Sequence, residues 1–238
     1  EDMRITPVMG MGGNGQMQQL RLGLIDPNVT DDPLLAFGGS GTSADPWKSL
    51  ADYMDEALTT QEQFGIIAVR ARDDETDLNL NTTIVLLNGQ ALLGEGVMHS
   101  LDGINPIDIP TIDPMGMRPL LSNSGAPGEN VITLANNNQV AGFIIDGTGT
   151  GSGIVGDGIR GFNINQVEMS NVIDGIRIRS LSDANGRLGI IRDNVINGIG
   201  LGSPRGISIE HESGILGLQV ADNTVSGFRG EDANQNGV

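Results

Sequence analysis

One short pattern occurs three times in the second half of the chain and constrains the fold more than any other feature. Asparagine, two mostly β-branched residues, a small or polar residue and glycine follow one another in "NVIDG", "NVING" and "NTVSG". The repeated positions are Asn171, Asn194 and Asn223, and Gly175, Gly198 and Gly227. Successive copies lie 23 and 29 residues apart. A period of this size that tolerates insertions is typical of a solenoid, in which each repeat packs only on its neighbours.

The segments between the repeats indicate strands rather than helices. They are short runs of Ile and Val broken by Gly and Asn. We expect each repeated Asn to lie above its copy in the next coil and to hydrogen-bond with it and with backbone groups. The glycine supplies a backbone angle or a close approach that a Cβ would forbid. The sequence therefore predicts an all-β fold, a parallel β-helix solenoid over residues 64–238.

An earlier pair of segments extends this repeat towards the N-terminus. Three residues of "TIVLLNGQALLGEG" have counterparts in "VITLANNNQVAGF", which pairs Ile84 with Ile132, Leu86 with Leu134, and Gln90 with Gln139. The stretch between them is rich in Pro and Gly. It predicts a long loop at about 97–130 that leaves one turn of the repeat, and loops of this length are usually functional or decorative.

The first 63 residues follow other patterns. Residues 1–40 show no sustained period and predict an extended N-terminal arm. Residues 41–63 contain "DPWKSLADYMDEALTT" (45–60), in which Asp45 can cap a helix and Pro46 suits its first turn. The apolar residues of this segment form one helical stripe, namely Trp47, Leu50, Ala51, Met54 and Leu58. We therefore expect an α-helix that caps the N-terminal end of the solenoid.

Composition excludes several classes of function. The chain has 30 acidic and 13 basic residues, a net charge of −17, so a nucleic-acid partner is not expected. It has no Cys and therefore no disulfide framework or thiolate site. No apolar run approaches the ~20 residues of a transmembrane segment. Aromatic residues make up 3% of the chain, which leaves few platforms for stacking sugars.

The segment "GSGTSADPWKSL" followed by "FGIIAVRA" is similar to the entry segment of bacterial right-handed parallel β-helix proteins of the pectin-lyase-like superfamily. The "DNVING" and "DNTVSG" coils also resemble the repeat of that superfamily. The resemblance implies a right-handed helix with an N-terminal cap, in a bacterial secreted or cell-surface protein. It covers roughly residues 39–238, and Gln63–Phe64–Gly65 stands where the family has Gly-Asp. The superfamily includes lyases, hydrolases, tailspikes and adhesins, so the fold alone does not imply an activity.

One strand carries the candidates for catalysis. The resemblance implies that a uronate lyase would combine carboxylates for Ca²⁺ with an Arg or Lys base. In "DGIRIRSLSD" the alternation of a strand places Arg177 and Arg179 on one face, and Glu210 lies on the next coil. The alternative is an exposed ion pair between Arg179 and Glu210, worth about 0–1 kcal/mol. Polygalacturonases resemble one another in a set of paired acidic motifs and a Gly-His-Gly motif on successive coils. This set is not found in the present sequence.

A second candidate site lies in "EDANQNGV" at the C-terminus. Asp232, Asn234 and Asn236 match the first half of a Ca²⁺ loop, whose oxygen ligands alternate along a tight turn. A solvated turn is the alternative interpretation. The chain offers ligands for no cofactor other than Ca²⁺.

These observations favour a structural or adhesive β-helix outside a bacterial cell or at its surface. The last coil is followed by only ten polar, Gly-rich residues, so we expect its open end to contact another copy, a downstream domain or other surface components. Pairing of the N-terminal arm with that end would give head-to-tail fibres. The alternatives are a lyase or glycoside hydrolase acting on acidic polysaccharide and a tailspike-like trimer, and whether the chain is an enzyme stays open.

Overall fold

Most strands of this chain pair with the equivalent strands one coil away rather than with their own neighbours in sequence. The structure is a computed structural model. It describes residues 9–11, 17–19, 22–28, 53, 65–73, 78, 83–100, 109, 112–123, 129–148, 151–180, 188–199, 205–212 and 217–228.

The strands form three parallel sheets and one short antiparallel pair. The pair consists of β1 (Met9–Met11) and β2 (Met17–Gln19). Sheet 1 contains β3 (Leu22–Ile25), β4 (Ile66–Val69), β6 (Ala91–Gly94), β9 (Asn138–Ala141), β12 (Phe162–Asn165), β15 (Leu188–Arg192) and β18 (Gly217–Ala221). Sheet 2 contains β5 (Ile84–Val85), β8 (Ile132–Leu134), β11 (Ile154–Ile159), β14 (Asp174–Ser180) and β17 (Arg205–His211). Sheet 3 contains β7 (Leu120–Ser122), β10 (Ile144–Asp146), β13 (Glu168–Val172), β16 (Val195–Gly198) and β19 (Thr224–Ser226).

The order of the strands describes a stack of coils. From β5 onward the chain passes from sheet 2 to sheet 1 to sheet 3, and it follows this path five times in all. Strands β3 and β4 precede the coils and extend sheet 1. The fold is therefore all-β with parallel sheets, an arrangement consistent with the predicted parallel β-solenoid.

Columns of aliphatic side chains fill the interior of the stack. The column of sheet 1 consists of Leu92, Val140, Ile164, Ile191 and Val220. The column of sheet 3 consists of Leu121, Ile145, Met169, Ile196 and Val225. In sheet 2, Ile84, Ile132, Ile154, Ile176 and Ile207 are in register. Matched branched side chains at one position of every coil bury apolar area without leaving gaps between coils.

The corner between sheet 1 and sheet 3 contains a ladder of two asparagines. The Asn194 amide donates from Nδ2 to Ile164 O (3.1 Å), and its Oδ1 accepts from the Val167 backbone N–H (3.0 Å). Asn223 Oδ1 in turn accepts from both the backbone N–H (3.1 Å) and Nδ2 (2.8 Å) of Asn194. Asn194 is fully buried. Each amide therefore satisfies backbone groups of the preceding coil that would otherwise be buried without partners.

Asn171 lies outside this ladder, contrary to expectation. Pairing of Glu168 with Val195 puts Val167 at the ladder position of its coil. Asn171 is exposed with φ of 53° at the next corner, where its Nδ2 donates to Asp146 Oδ1 (3.1 Å).

The glycines of the repeat also divide between two corners. Gly198 and Gly227 lie together, and Gly227 has φ of 77°, which favours glycine. Gly175 instead stacks between Gly153 and Gly206, where a Cβ would press on the Gly206 carbonyl oxygen. The prediction that the three glycines form one column is therefore wrong. The segment "NVIDG" forms the turn from sheet 3 to sheet 2, whereas "NVING" and "NTVSG" begin at the corner between sheet 1 and sheet 3.

A second buried polar ladder lies between sheet 2 and sheet 1. Gln90 Oε1 accepts from the Leu87 N–H (2.7 Å), and Asn138 Nδ2 donates to Gln90 O (3.0 Å). The expected pairing of Gln90 with Gln139 is off by one residue, since Gln139 is in register with Ala91. The pairing of Ile84 with Ile132 is confirmed.

Two predicted boundaries near the N-terminus need correction. Residues 22–25 of the expected free arm pair with β4, because Leu24 and Ile25 are buried in the stack. The predicted long loop at 97–130 contains β7, whose Leu121 belongs to the inner column of sheet 3.

The predicted capping helix lies outside the described residues except for Tyr53. That residue is helical and buried, and its hydroxyl accepts a hydrogen bond from Gln90 Nε2 (2.8 Å).

Replacing the buried ladder residue tests this description of the corner. Asn194→Ala removes the partners of the Val167 N–H and the Ile164 carbonyl, so we expect a loss of about 1–3 kcal/mol of unfolding free energy. Urea unfolding followed by circular dichroism measures it. The control is Asn171→Gly, which removes an exposed amide and keeps a positive φ accessible. Equal effects of the two substitutions would contradict the assignment.

Candidate functional site

The outer face of sheet 2 carries the arginines that the sequence singles out. Arg177 and Arg179 of β14 are exposed, and Ile176 and Ile178 of the same strand are fully buried. The alternation follows from the two-residue period of a strand. The prediction that the two arginines share one face is therefore confirmed.

The register of sheet 2 places opposite charges on neighbouring strands. Arg179 is in register with Asp157 of β11 and with Glu210 of β17. Asp174 is in register with Arg205 in the same way, and its Oδ1 accepts from the Arg205 backbone N–H (3.1 Å). Acidic and basic side chains thus alternate from coil to coil.

The ion pairs on this face differ from the expected one. Arg179 Nη2 lies 2.7 Å from Glu212 Oε1, and Arg179 Nη1 lies 3.6 Å from Asp157 Oδ1. Glu210 pairs instead with Arg205, at 3.4 Å. Register partners need not be ion-pair partners, because long arginine side chains also reach residues beyond the strand end. These pairs are solvent-exposed and contribute at most about 1 kcal/mol each.

A shallow cleft of about 470 Å³ runs along this face. Its charged lining residues are three arginines and three acids, namely Arg177, Arg179, Arg205, Asp157, Asp174 and Glu210. Each of these arginines lies within 4 Å of a carboxylate on the same face. An arginine that acted as the base for proton abstraction would first have to break its ion pair with the carboxylate. The geometry therefore suits a surface of neutralised charges.

The metal ligands predicted from sequence cannot be placed on this face. Asp232, Asn234 and Asn236 lie outside the described residues. Among the residues that the structure describes, no three His, Asp or Glu side chains come together in a way that could hold a metal ion. The described part of the chain also contains no helix with the length and hydropathy of a transmembrane segment.

A buried carboxylate that the sequence did not single out organises the N-terminal end. Glu95 follows β6, and its two oxygens accept from the backbone N–H groups of Ala71 and Asp113, each at 3.0 Å. Arg70 Nε lies 3.7 Å from Glu95, and Arg70 Nη1 donates to Asp26 Oδ2 (2.7 Å). Glu95 therefore joins the ends of β4 and β6 to the turn at residues 113–116.

A second unpredicted feature is the role of Asn28. Its Nδ2 donates to Ala71 O (2.8 Å), and its Oδ1 accepts from the Asp73 N–H (2.9 Å). Asn28 thus bridges the backbone of the following coil much as Asn194 bridges that of the preceding one. A sequence signal was present, since "RLGLIDPNVT" (21–30) shares six of ten residues with "RLGIIRDNVI" (187–196).

A comparison of the chain with protein-family models, with curated proteins and with solved structures found no match.

His99 is buried at the start of the segment that joins β6 to β7. Its Nε2 donates to Gly94 O (2.6 Å), and its Nδ1 is buried with no hydrogen-bond partner among the described residues. Burial lowers the pKa of His99, and the hydrogen bond to Gly94 opposes that effect in part. The neutral ring is therefore the form that the fold accommodates.

The lowered pKa predicts a loss of stability on mild acidification. Above pH about 6.5 His99 is neutral in both states, and below it the unfolded chain takes up a proton that the folded chain resists. The free energy of unfolding should fall as the pH decreases from 7 to 5. His99→Gln should reduce this fall. Urea titrations at each pH measure it, and identical pH profiles for wild type and His99→Gln would refute the prediction.

Proposed function

We propose that this chain is a structural or adhesive β-solenoid of the bacterial cell surface or extracellular space, and that copies of it assemble through the C-terminal end of the stack. The observation that carries the proposal is the exposure of the inner columns in the last coil. Val220 is 49% and Val225 45% exposed, whereas their partners Ile191 and Ile196 in the preceding coil are fully buried.

Exposed inner positions at one end of a solenoid favour a partner there. The three sheets end on β17, β18 and β19, which are edge strands in the described part of the chain. Edge strands and uncovered aliphatic core promote association unless they are covered. The ladder adds a hydrogen-bonding preference, because each coil accepts from the Asn corner of the coil before it. A partner coil that offered an amide oxygen above Asn223 would continue this pattern.

The two edge strands of sheet 1 favour a second copy of this chain as the partner at the C-terminal end of the stack. Strand β3 forms one edge of that sheet and β18 the other, and the strands are parallel. Pairing β18 with β3 of the next copy would keep the strand direction and propagate head to tail into a fibre. In this arrangement β3 takes part as the edge of its own stack, since its pairing with β4 argues against a freely exchanged arm.

Two finer features belong to the same proposal. We infer a right-handed stack, because parallel crossover connections within a sheet are right-handed in about 98% of cases. We also infer that residues 45–60 form the N-terminal cap, supported by the helical, buried Tyr53. A capped N-terminal end would leave the edge of β3 as the remaining contact surface.

The acidic surface fits the proposed location. A net charge of −17 keeps single stacks apart unless cations screen it. Calcium bound by Asp232, Asn234 and Asn236 would reduce this repulsion, and other acidic surface components are alternative partners through the same cation.

The alternative proposal is a polysaccharide lyase or glycoside hydrolase acting on acidic polysaccharide. It would use Arg177 or Arg179 as base and Glu210 as a metal ligand. The pairing of these arginines with Asp157, Asp174 and Glu212 favours the structural proposal instead.

Charging the open end should prevent assembly. Val220→Lys combined with Val225→Lys places two cations over the inner columns, where burial by a partner would be costly. We expect the wild-type chain to form concentration-dependent oligomers in sedimentation velocity and the double variant to remain monomeric.

Val85→Lys is the matched control, because Val85 is 47% exposed on the outer face of sheet 2. It should assemble like the wild type. A wild-type monomer at all concentrations, with and without Ca²⁺, would contradict the proposal.

The structural proposal also predicts that the chain does not cleave uronate polymers. Incubation with polygalacturonate or alginate and Ca²⁺ should produce no unsaturated product absorbance. Activity that Arg177→Ala abolishes would establish the lyase alternative instead.

A further inference from the structure

A second cavity, of about 440 Å³, lies on the outer face of sheet 3 near the N-terminal end of the stack. The residues described as lining it are Ala71, Arg72, Gly96, Gly116, Met117, Arg118, Leu120 and Ile144. They include two arginines and no acidic residue, in a chain with 30 acidic and 13 basic residues. The cleft on sheet 2 differs, because its arginines and acids are equal in number.

The floor of this cavity is apolar. Leu120 and Ile144 are register partners on neighbouring strands, and both point outward, since the adjacent Leu121 and Ile145 fill the inner column. Met117 stands at the rim with 44% of its surface exposed. Two aliphatic side chains side by side offer an apolar strip for a small ligand.

The walls are held in place by the buried Glu95. Its hydrogen bonds to the N–H groups of Ala71 and Asp113 join the two walls, and the Gly96 N–H donates to Asp113 O (2.9 Å). A Cβ on Gly116 would lie 3.0 Å from the Glu95 side chain, so the turn packs directly on this carboxylate. The cavity is therefore preformed, which lowers the entropic cost of binding.

Arg118 can bind an anion there. Within the described residues its guanidinium makes no ion pair, and Nη1 has only a long hydrogen bond to Gln166 O (3.5 Å). Arg179 on sheet 2 differs, since it lies 2.7 Å from Glu212. A planar guanidinium with uncommitted N–H groups matches a carboxylate in a bidentate geometry.

We propose that this cavity binds a small carboxylate with an apolar body. The carboxylate pairs with Arg118, with Arg72 adding positive charge, and the apolar body lies on Leu120 and Ile144. This inference is independent of the proposed function, because the cavity and the open C-terminal end are at different places on the stack.

Isothermal titration calorimetry with hexanoate tests the proposal on the full chain. We expect saturable binding, and binding of 1-hexanol, the neutral counterpart, about tenfold weaker or undetectable because the charge-assisted hydrogen bonds are lost. Acetate should bind more weakly than hexanoate because it leaves the apolar floor uncovered.

Two variants test the residues. Arg118→Gln should weaken hexanoate binding about tenfold. Met117→Glu, at the exposed rim, should weaken it as well by placing a carboxylate near the guanidinium. Arg177→Gln, an exposed arginine on sheet 2, is the matched control and should bind like the wild type. The unfolding midpoint of each variant verifies folding.

Three outcomes would overturn the proposal. These are no saturable binding of hexanoate at millimolar concentration, equal binding of hexanoate and hexanol, and unchanged affinity in both folded cavity variants. None of these results would bear on assembly through Val220 and Val225. Failure of the carboxylate-binding proposal is therefore distinguishable from failure of the proposed function.

Discussion

In-register parallel stacking is the constraint on which the rest of this structure depends. Every side chain that points inward lies against its equivalent in the coils on either side, so each column must keep a similar size and shape. The three inner columns meet this demand with Ile, Leu, Val and one Met. The same constraint applies to polar groups at the corners, because a backbone group turned inward needs a side-chain partner from its own coil or from the adjacent coil. Asn194 and Asn223 supply that partner at one corner, and Gln90 and Asn138 at another.

Among the described residues, the inner columns are least covered in the last coil of the stack. The burial of Ile191 and Ile196 depends on the coil above them, and Val220 and Val225 have no equivalent cover in the described residues. The N-terminal side differs, since Leu24, Ile25 and Tyr53 are buried there. This inequality between the two ends is the physical basis for the proposed assembly.

The arrangement of charges differs between the outer faces of sheet 2 and sheet 3. On sheet 2 the coil-to-coil register puts arginines next to acids, which neutralises much of the charge on that face. The cavity on sheet 3 departs from this pattern because its walls come from segments outside the repeat. Glu95 is turned inward to hold those walls, and Arg118 is left facing the cavity.

The class of architecture and the local alternation of residues follow from the amino-acid sequence alone. Branched aliphatic runs at a period near 23 residues predict parallel coils, and the two-residue period of a strand separates Arg177 and Arg179 from Ile176 and Ile178. Both are local properties that depend on a few neighbouring residues. The corner that each asparagine and glycine occupies, the carboxylate that Arg179 pairs with, and the place of β3 and β7 in the stack depend on the folded arrangement of the coils. The reason is that the connections between strands vary in length from coil to coil. Equal spacing in sequence therefore does not imply equal position in the stack, and residues from distant segments, such as Glu95 and Arg118, meet only when the register is set.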